Sequence, residues 1–418
     1  MLARGIASAV LGGLIARGIT VLIPVMVAHT YVLGTETDAF FLAAAGILFW
    51  ATTMGVLLEA SIVPRLMKVA EEDRWALIFR TGALLSAFTL LLGAAFIAAL
   101  WILPWPGKDA ALSLQTRLLF VELSPLLLLN VWISLLSGWL NTERRFAIVA
   151  GSPAVLGACV LGAIWLLHDV AAIHALTIGY LLGETVRIGF LGFHLVRLHP
   201  FRFWSAKREP IAPYFRNIGL QWIGLSLMSG NPLIDRLMAG GLVEGSVSRL
   251  ELIERIYLVP VGILTWAVLS VMTTAWSLVR EEAARQWESV RRALGILFLG
   301  GAGVALLLGL FHHPLLTWLY APAGAAGWSV EGERAFLFLV WGLPFQLATL
   351  TLWRVTMLDR NLGWKILAIG GFAFLLNAVG DYLLRDYWGL SGITAVTGLT
   401  FLCTFLLLFW LVRPSRDL

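Results

Sequence analysis

About twelve stretches of this chain each run for roughly twenty predominantly apolar residues, the length a helix needs to cross a bilayer. They lie at approximately 6–33, 38–64, 76–103, 115–140, 146–167, 171–196, 212–240, 247–278, 293–319, 335–358, 363–384 and 389–412. No segment between them is long enough for a soluble domain. Only 13% of residues are charged, where a soluble domain has about 25%. The expected fold is therefore an all-α integral membrane protein. The first run is too long for the apolar core of a signal peptide, about 7–15 residues. Cys159 and Cys403 both fall inside apolar runs and give neither a disulfide framework nor a CxxC metal site.

Lys and Arg alternate along the connections. One set of alternate connections, from Arg4 through Arg144 and Arg145 to Arg413 and Arg416, holds 21 of the 30 basic residues. The other set holds 5: Lys108, Arg117, Arg249, Arg334 and Arg385. The positive-inside rule makes the first set cytoplasmic and puts both termini inside. The net charge of +5 thus reports topology, and no nucleic-acid partner is expected. Arg17, Arg187, Arg236 and Arg255 lie within spans, where a charge normally faces a cavity or a partner.

A near-repeat organises the chain. TDAFFLAAAGILFWA (37–51) returns as IERIYLVPVGILTWA (253–267), with Asp38 aligned on Glu254 and span 2 on span 8. Six spans precede and six follow the basic, aromatic, proline-punctuated segment 199–213, read as a cytoplasmic connector lying along the membrane surface. The expected architecture is two six-helix lobes, 1–198 and 214–418, related by a pseudo-two-fold axis along the membrane normal. The first helix of each lobe carries a proline beside charge: Pro24 after Arg17, and SGNPLIDR (229–236) with Asp235 and Arg236. Broken helices at matching positions of two repeats point to a transport site.

Three stretches resemble the lipid II flippase (MurJ/MviN) family, within the superfamily of drug/cation antiporters and polysaccharide flippases: Arg17 through TDAFF (37–41), LNTERRFAIVAGSP (140–153) and GSVSRLELIERIYLVPVGIL (245–264). The chain departs from the family pattern in having about twelve spans where fourteen are usual. Ile23 and Pro24 stand in place of an Arg-Asp pair, FWATT (49–53) in place of a basic cluster, and Glu254 where Asp is the rule.

The resemblance implies that Arg17 and Arg255, with Glu254, contact the diphosphate of a lipid-linked substrate, for which the forked guanidinium is suited. Arg255 also stands four residues after Glu251, the spacing of a structural ion pair. Asp38 has the position of a first-turn helix acid; the resemblance gives it a role in an outer gate. Glu59, Glu122 and the Glu184/Arg187 pair read as structural charges. Asn377 and Asp381 share one helix face, Ile393 and Thr397 another, and Asp235 comes at a matching depth. Carboxylates, an amide, a hydroxyl and a main-chain carbonyl suit a hard cation. Some family members bind sodium between these three helices, which implies Asp235, Asn377, Asp381, Thr397 and the Ile393 carbonyl as ligands. The alternative pairs Asp381 with Arg385, and Asp235 with a basic neighbour.

The implied activity is alternating-access flipping of an undecaprenyl-diphosphate-linked glycan, foremost lipid II, across the bacterial inner membrane. Its partners are that lipid and the bilayer, its working unit a monomer, and its only bound ion sodium. An exopolysaccharide or O-antigen lipid-carrier flippase, a drug/cation antiporter and a non-transporting scaffold are the other readings. Catalysis is not expected, because the histidines are scattered and neither HExxH nor GxSxG occurs.

Overall fold

A computed structural model describes residues 2–102, 110–200, 226–227, 229–278, 283–320, 330–356 and 363–413. Among these every regular element is helical, and ten helical segments are long and apolar enough to cross a membrane. The chain divides into two compact units, Met1–Ser229 and Gly230–Leu418. Most of the expected connector, from Phe201 onward, and the first part of span 7 lie outside the described residues.

The first unit contains α1 (Leu2–Thr30), α2 (Thr35–Leu66), α3 (Arg74–Ile102), α4 (Ala110–Leu123), α5 (Pro125–Thr142), α6 (Phe146–Gly151), α7 (Pro153–Ala171) and α8 (His174–Leu198). The interruption expected in span 1 is absent: α1 runs unbroken through Pro24. Proline removes one backbone donor, a loss that a long membrane helix tolerates. The breaks come instead in spans 4 and 5, at Ser124–Pro125 and Ser152–Pro153. In both cases proline opens the new helix, where its missing N–H removes no bond and its fixed φ fits the first turn.

Gly179 and Gly183, four residues apart on α8, let that helix meet the backbone of α7. A Cβ on Gly183 would lie 3.0 Å from the Leu156 Cα, and one on Gly179 would lie 2.9 Å from the Val160 Cα. Small residues at this spacing are how membrane helices approach closely. Gly183→Ala is expected to lower stability by about 1–3 kcal/mol through overpacking, read as a fall in melting temperature of the purified protein. At one end of the unit Trp139 is fully buried, edge-on to Trp75 at 4.7 Å and stacked on His199 at 5.3 Å. There Glu143 accepts from Arg74 at 2.6 Å and lies 3.0 Å from Nε2 of His199.

The second unit contains α9 (Asn231–Ala239), α10 (Ser246–Leu278), α11 (Ala283–Leu310), α12 (His312–Tyr320), α13 (Val330–Trp341), α14 (Leu343–Thr356), α15 (Gly363–Trp388) and α16 (Leu390–Val412). Here the expected break is present: Gly230 precedes α9 and Pro232 lies in its first turn. The hairpin between α15 and α16 turns on Gly389, whose φ of +56° a side chain rarely adopts. A Cβ there would also sit 2.1 Å from an oxygen of Glu331, the carboxylate that accepts the Leu390 N–H at 2.8 Å and so caps α16.

The two copies of the repeat start differently. Asp38 lies in the first turn of α2, whereas Glu254 lies eight residues into α10, about one and a half turns deeper. The second acid is thus placed among side chains of other helices, and the first is placed at a helix entrance.

Candidate functional site

The second unit concentrates charge around the nine residues of α9, which packs on α10, α15 and α16. Asp235 and Arg236 are adjacent and both are buried. Consecutive helical residues project about 100° apart, so the two side chains reach different neighbours.

Asp235 meets α15 and α16. Its Oδ1 accepts from the Asn377 amide at 2.5 Å, and its Oδ2 accepts from the Thr397 hydroxyl at 3.0 Å. The same amide nitrogen lies 3.3 Å from Asp381 Oδ2, and the Thr397 hydroxyl lies 3.1 Å from the Ile393 carbonyl. Asn377, Asp381 and Ile393 are fully buried, with Asp235 at 2% exposure and Thr397 at 9%. All five residues read from the sequence as cation ligands are therefore in one place.

This cluster has more acceptors than donors. Two carboxylates, an amide oxygen and a carbonyl face three N–H or O–H hydrogens. The buried Oδ1 atoms of Asn377 and Asp381 find no hydrogen-bond partner among the described residues. Turning the Asn377 amide over would face its oxygen to both carboxylates, an arrangement that only a cation between them makes favourable. The donor set is hard oxygen throughout and fits an ion such as sodium. Asp381 is not held by Arg385, which instead lies over the Tyr382 ring at 5.2 Å and 3.4 Å from the Met238 sulfur.

Arg236 meets α10. Its Nη2 donates to Glu254 at 2.6 Å and to Glu251, and its Nε donates to Glu251 at 3.0 Å. The other oxygen of Glu251 receives Nε of Arg255 at 2.5 Å. The Glu251–Arg255 pair anticipated by spacing is thus formed, and Glu254 is engaged by Arg236. Arg255 retains 34% of its side-chain surface. The role of Arg236 was not legible in advance. The signal was there in Glu251 and Glu254, three residues apart and so on one stripe of α10, which calls for more than one cation.

In the first unit Arg17 is half-buried on α1, and its guanidinium takes no acidic partner among the described residues. Asp38 is buried in the first turn of α2, where its N–H donates to the Gly34 carbonyl at 2.9 Å. Glu184 pairs with Arg187 at 3.2 Å, and Arg187 also donates to the Ser152 hydroxyl at 2.9 Å, bracing the break in span 5. Glu122 pairs with His174 at 2.8 Å. The side chain of Glu59 lies outside the described residues.

Comparison with known proteins bears on the family and the fold. A family model described as "Lipid II flippase MurJ" matches residues 27–418. The "Probable lipid II flippase MurJ" of Haemophilus influenzae is 25% identical over 263 residues, covering 57% of this chain and 51% of that protein. Its counterpart in Vibrio cholerae is 26% identical over 256 residues, covering 57% and 48%. The matched region thus spans about half the length of these curated relatives. Among solved structures, a lipid II flippase MurJ in an inward closed conformation superposes with a TM-score of 0.81 at 18% identity, over 97% of this chain and 87% of that one. A multidrug resistance MATE family transporter of the MOP superfamily, inward-facing, gives 0.70 at 17% identity over 96% and 94%.

Proposed function

The chain belongs to the lipid II flippase MurJ family, and from that premise we propose that it flips an undecaprenyl-diphosphate-linked glycan, lipid II foremost, across the bacterial cytoplasmic membrane. The observation that carries this reading is that two arginines, Arg17 on α1 and Arg255 on α10, stand part-exposed on long helices of a chain whose family match runs nearly end to end. A diphosphate crossing the bilayer needs cations on its path, and arginine supplies paired donors at fixed geometry. The protein works by alternating access as a monomer with both termini cytoplasmic. Asp38 serves the outer gate. Sodium held by Asp235, Asn377, Asp381, Thr397 and the Ile393 carbonyl biases the cycle, together with the membrane potential, which contributes about 2.3 kcal/mol per charge per 100 mV.

Complementation of a strain depleted of its own lipid II flippase tests the substrate. Growth restored by the wild-type chain is the expected result. Failure there, with rescue of a capsule or O-antigen defect, would move the substrate to another lipid-linked glycan; Ile23, Pro24 and FWATT at expected basic positions make that the second reading. Arg17→Ala and Arg255→Ala are each expected to slow flipping in proteoliposomes by about tenfold or more, through loss of a charge-assisted contact. Wild-type rates in both variants would remove these residues from the path.

A further inference from the structure

Glu251 uses its two oxygens on two different arginines. Oε1 accepts from Arg255 at 2.5 Å, and Oε2 accepts from Nε and Nη2 of Arg236. Arg236 is the more constrained of the two. Its Nη2 also donates to Glu254 at 2.6 Å and its Nη1 to the Pro232 carbonyl at 2.8 Å, so four of its five N–H groups are committed inside the fold. It is 9% exposed and has no surface to offer a ligand. Arg255, at 34%, has such a surface, and the plane of its guanidinium is set from behind by a carboxylate that is itself 3% exposed.

That carboxylate is anchored in turn to α9. Asp235 and Arg236 are neighbours on this short helix, which begins at a glycine–proline break. Any displacement of α9 as oxygen ligands gather around a cation at Asp235 also moves the anchor of Glu251. We propose that Glu251, held by Arg236, is the positioning residue for Arg255, and that this chain of contacts links cation binding at Asp235 to diphosphate binding at Arg255. The inference rests on the flippase reading of Arg255. It assigns Arg236 and Glu251 roles that need no contact with substrate, and it makes Glu254 a second clamp on Arg236.

A simple counter-ion and a positioning residue give opposite signs on neutralisation. If Glu251 only offsets the charge of Arg255, Glu251→Gln tightens anion binding. If it orients Arg255, the same change weakens binding, because the freed guanidinium must be ordered by the ligand itself. The experiment measures binding of undecaprenyl diphosphate to the purified full-length chain, in sodium and in choline at equal ionic strength. Wild type is expected to bind about fivefold or more tightly in sodium, the low end of ordinary coupling between sites. E251Q is expected to bind about tenfold more weakly and equally in both buffers, while its melting temperature still rises in sodium. Retention of that rise shows the cation site intact, which a general loss of structure would not leave.

Should E251Q fail to fold, Arg236→Lys carries the test. Lysine keeps the charge beside the two acids but, as a point charge, cannot hold both at fixed geometry. It too is expected to lose the sodium effect on diphosphate binding. Wild type that binds no diphosphate in either buffer overturns the flippase reading itself. Wild type that binds, with E251Q and R236K equal to it or tighter, overturns only the link proposed here.

Discussion

Asp381→Asn is expected to abolish the sodium-dependent rise in melting temperature that the wild-type protein shows over choline. Asp381 is fully buried, its Oδ1 has no hydrogen-bond partner among the described residues, and Asp235 shares the Asn377 amide with it. Without a cation, two carboxylates are crowded where water does not reach, and that costs stability. A ligand that binds only the folded state stabilises it by about 2.7 kcal/mol at a hundredfold excess over its dissociation constant. The asparagine variant preserves the volume and removes one charge. Two signs follow: in choline it should melt above wild type, because the repulsion is relieved, and in sodium it should gain nothing. Asp235→Ala is expected to lose the sodium response as well. Equal melting of wild type in sodium and in choline would dispose of the cation site altogether.

How far this site could be read in advance follows from its local geometry. Asn377 and Asp381, like Ile393 and Thr397, are four residues apart on uninterrupted helices, so sequence spacing alone puts each pair on one face. Topology then set the depths, and Asp235 completed the set. The helical membrane fold was legible for the same reason, because membrane spans are local and their length is dictated by the bilayer; ten such segments stand among the described residues, where twelve spans were expected. What was not legible depends on contacts between helices. Whether Pro24 breaks α1 is decided by what surrounds it, and the helix continues; the breaks fell at Pro125 and Pro153, where serine precedes proline. The repeat aligned Asp38 with Glu254, yet the helices holding them begin at different points, so equivalent letters occupy unlike environments. Arg236 was legible only as an in-span charge that needs a cavity or a partner. Its partners lie 15 and 18 residues away on another helix, beyond the reach of any periodicity.

Arg236→Ala is expected to destabilise the fold by about 3–5 kcal/mol, the cost of stripping a buried ion cluster of one partner. Glu251 and Glu254 would be left facing each other, with Arg255 reaching only the first. The loss should come mainly from the stranded acid and not from lost packing. A second change separates the two: adding Glu254→Gln to the alanine variant removes the unpaired charge while leaving Glu251 with Arg255. If charge is the cause, the double variant recovers most of the melting temperature, and the cycle shows strong non-additivity. If packing is the cause, the two losses add. Recovery would also bear on why the cluster exists. Buried ion networks can often be replaced by apolar side chains with no loss of stability. A neutral variant of Arg236 and Glu254 that folds well but no longer ties sodium to diphosphate binding would identify the benefit of three charges buried beside a cation site as linkage, with stability unaffected.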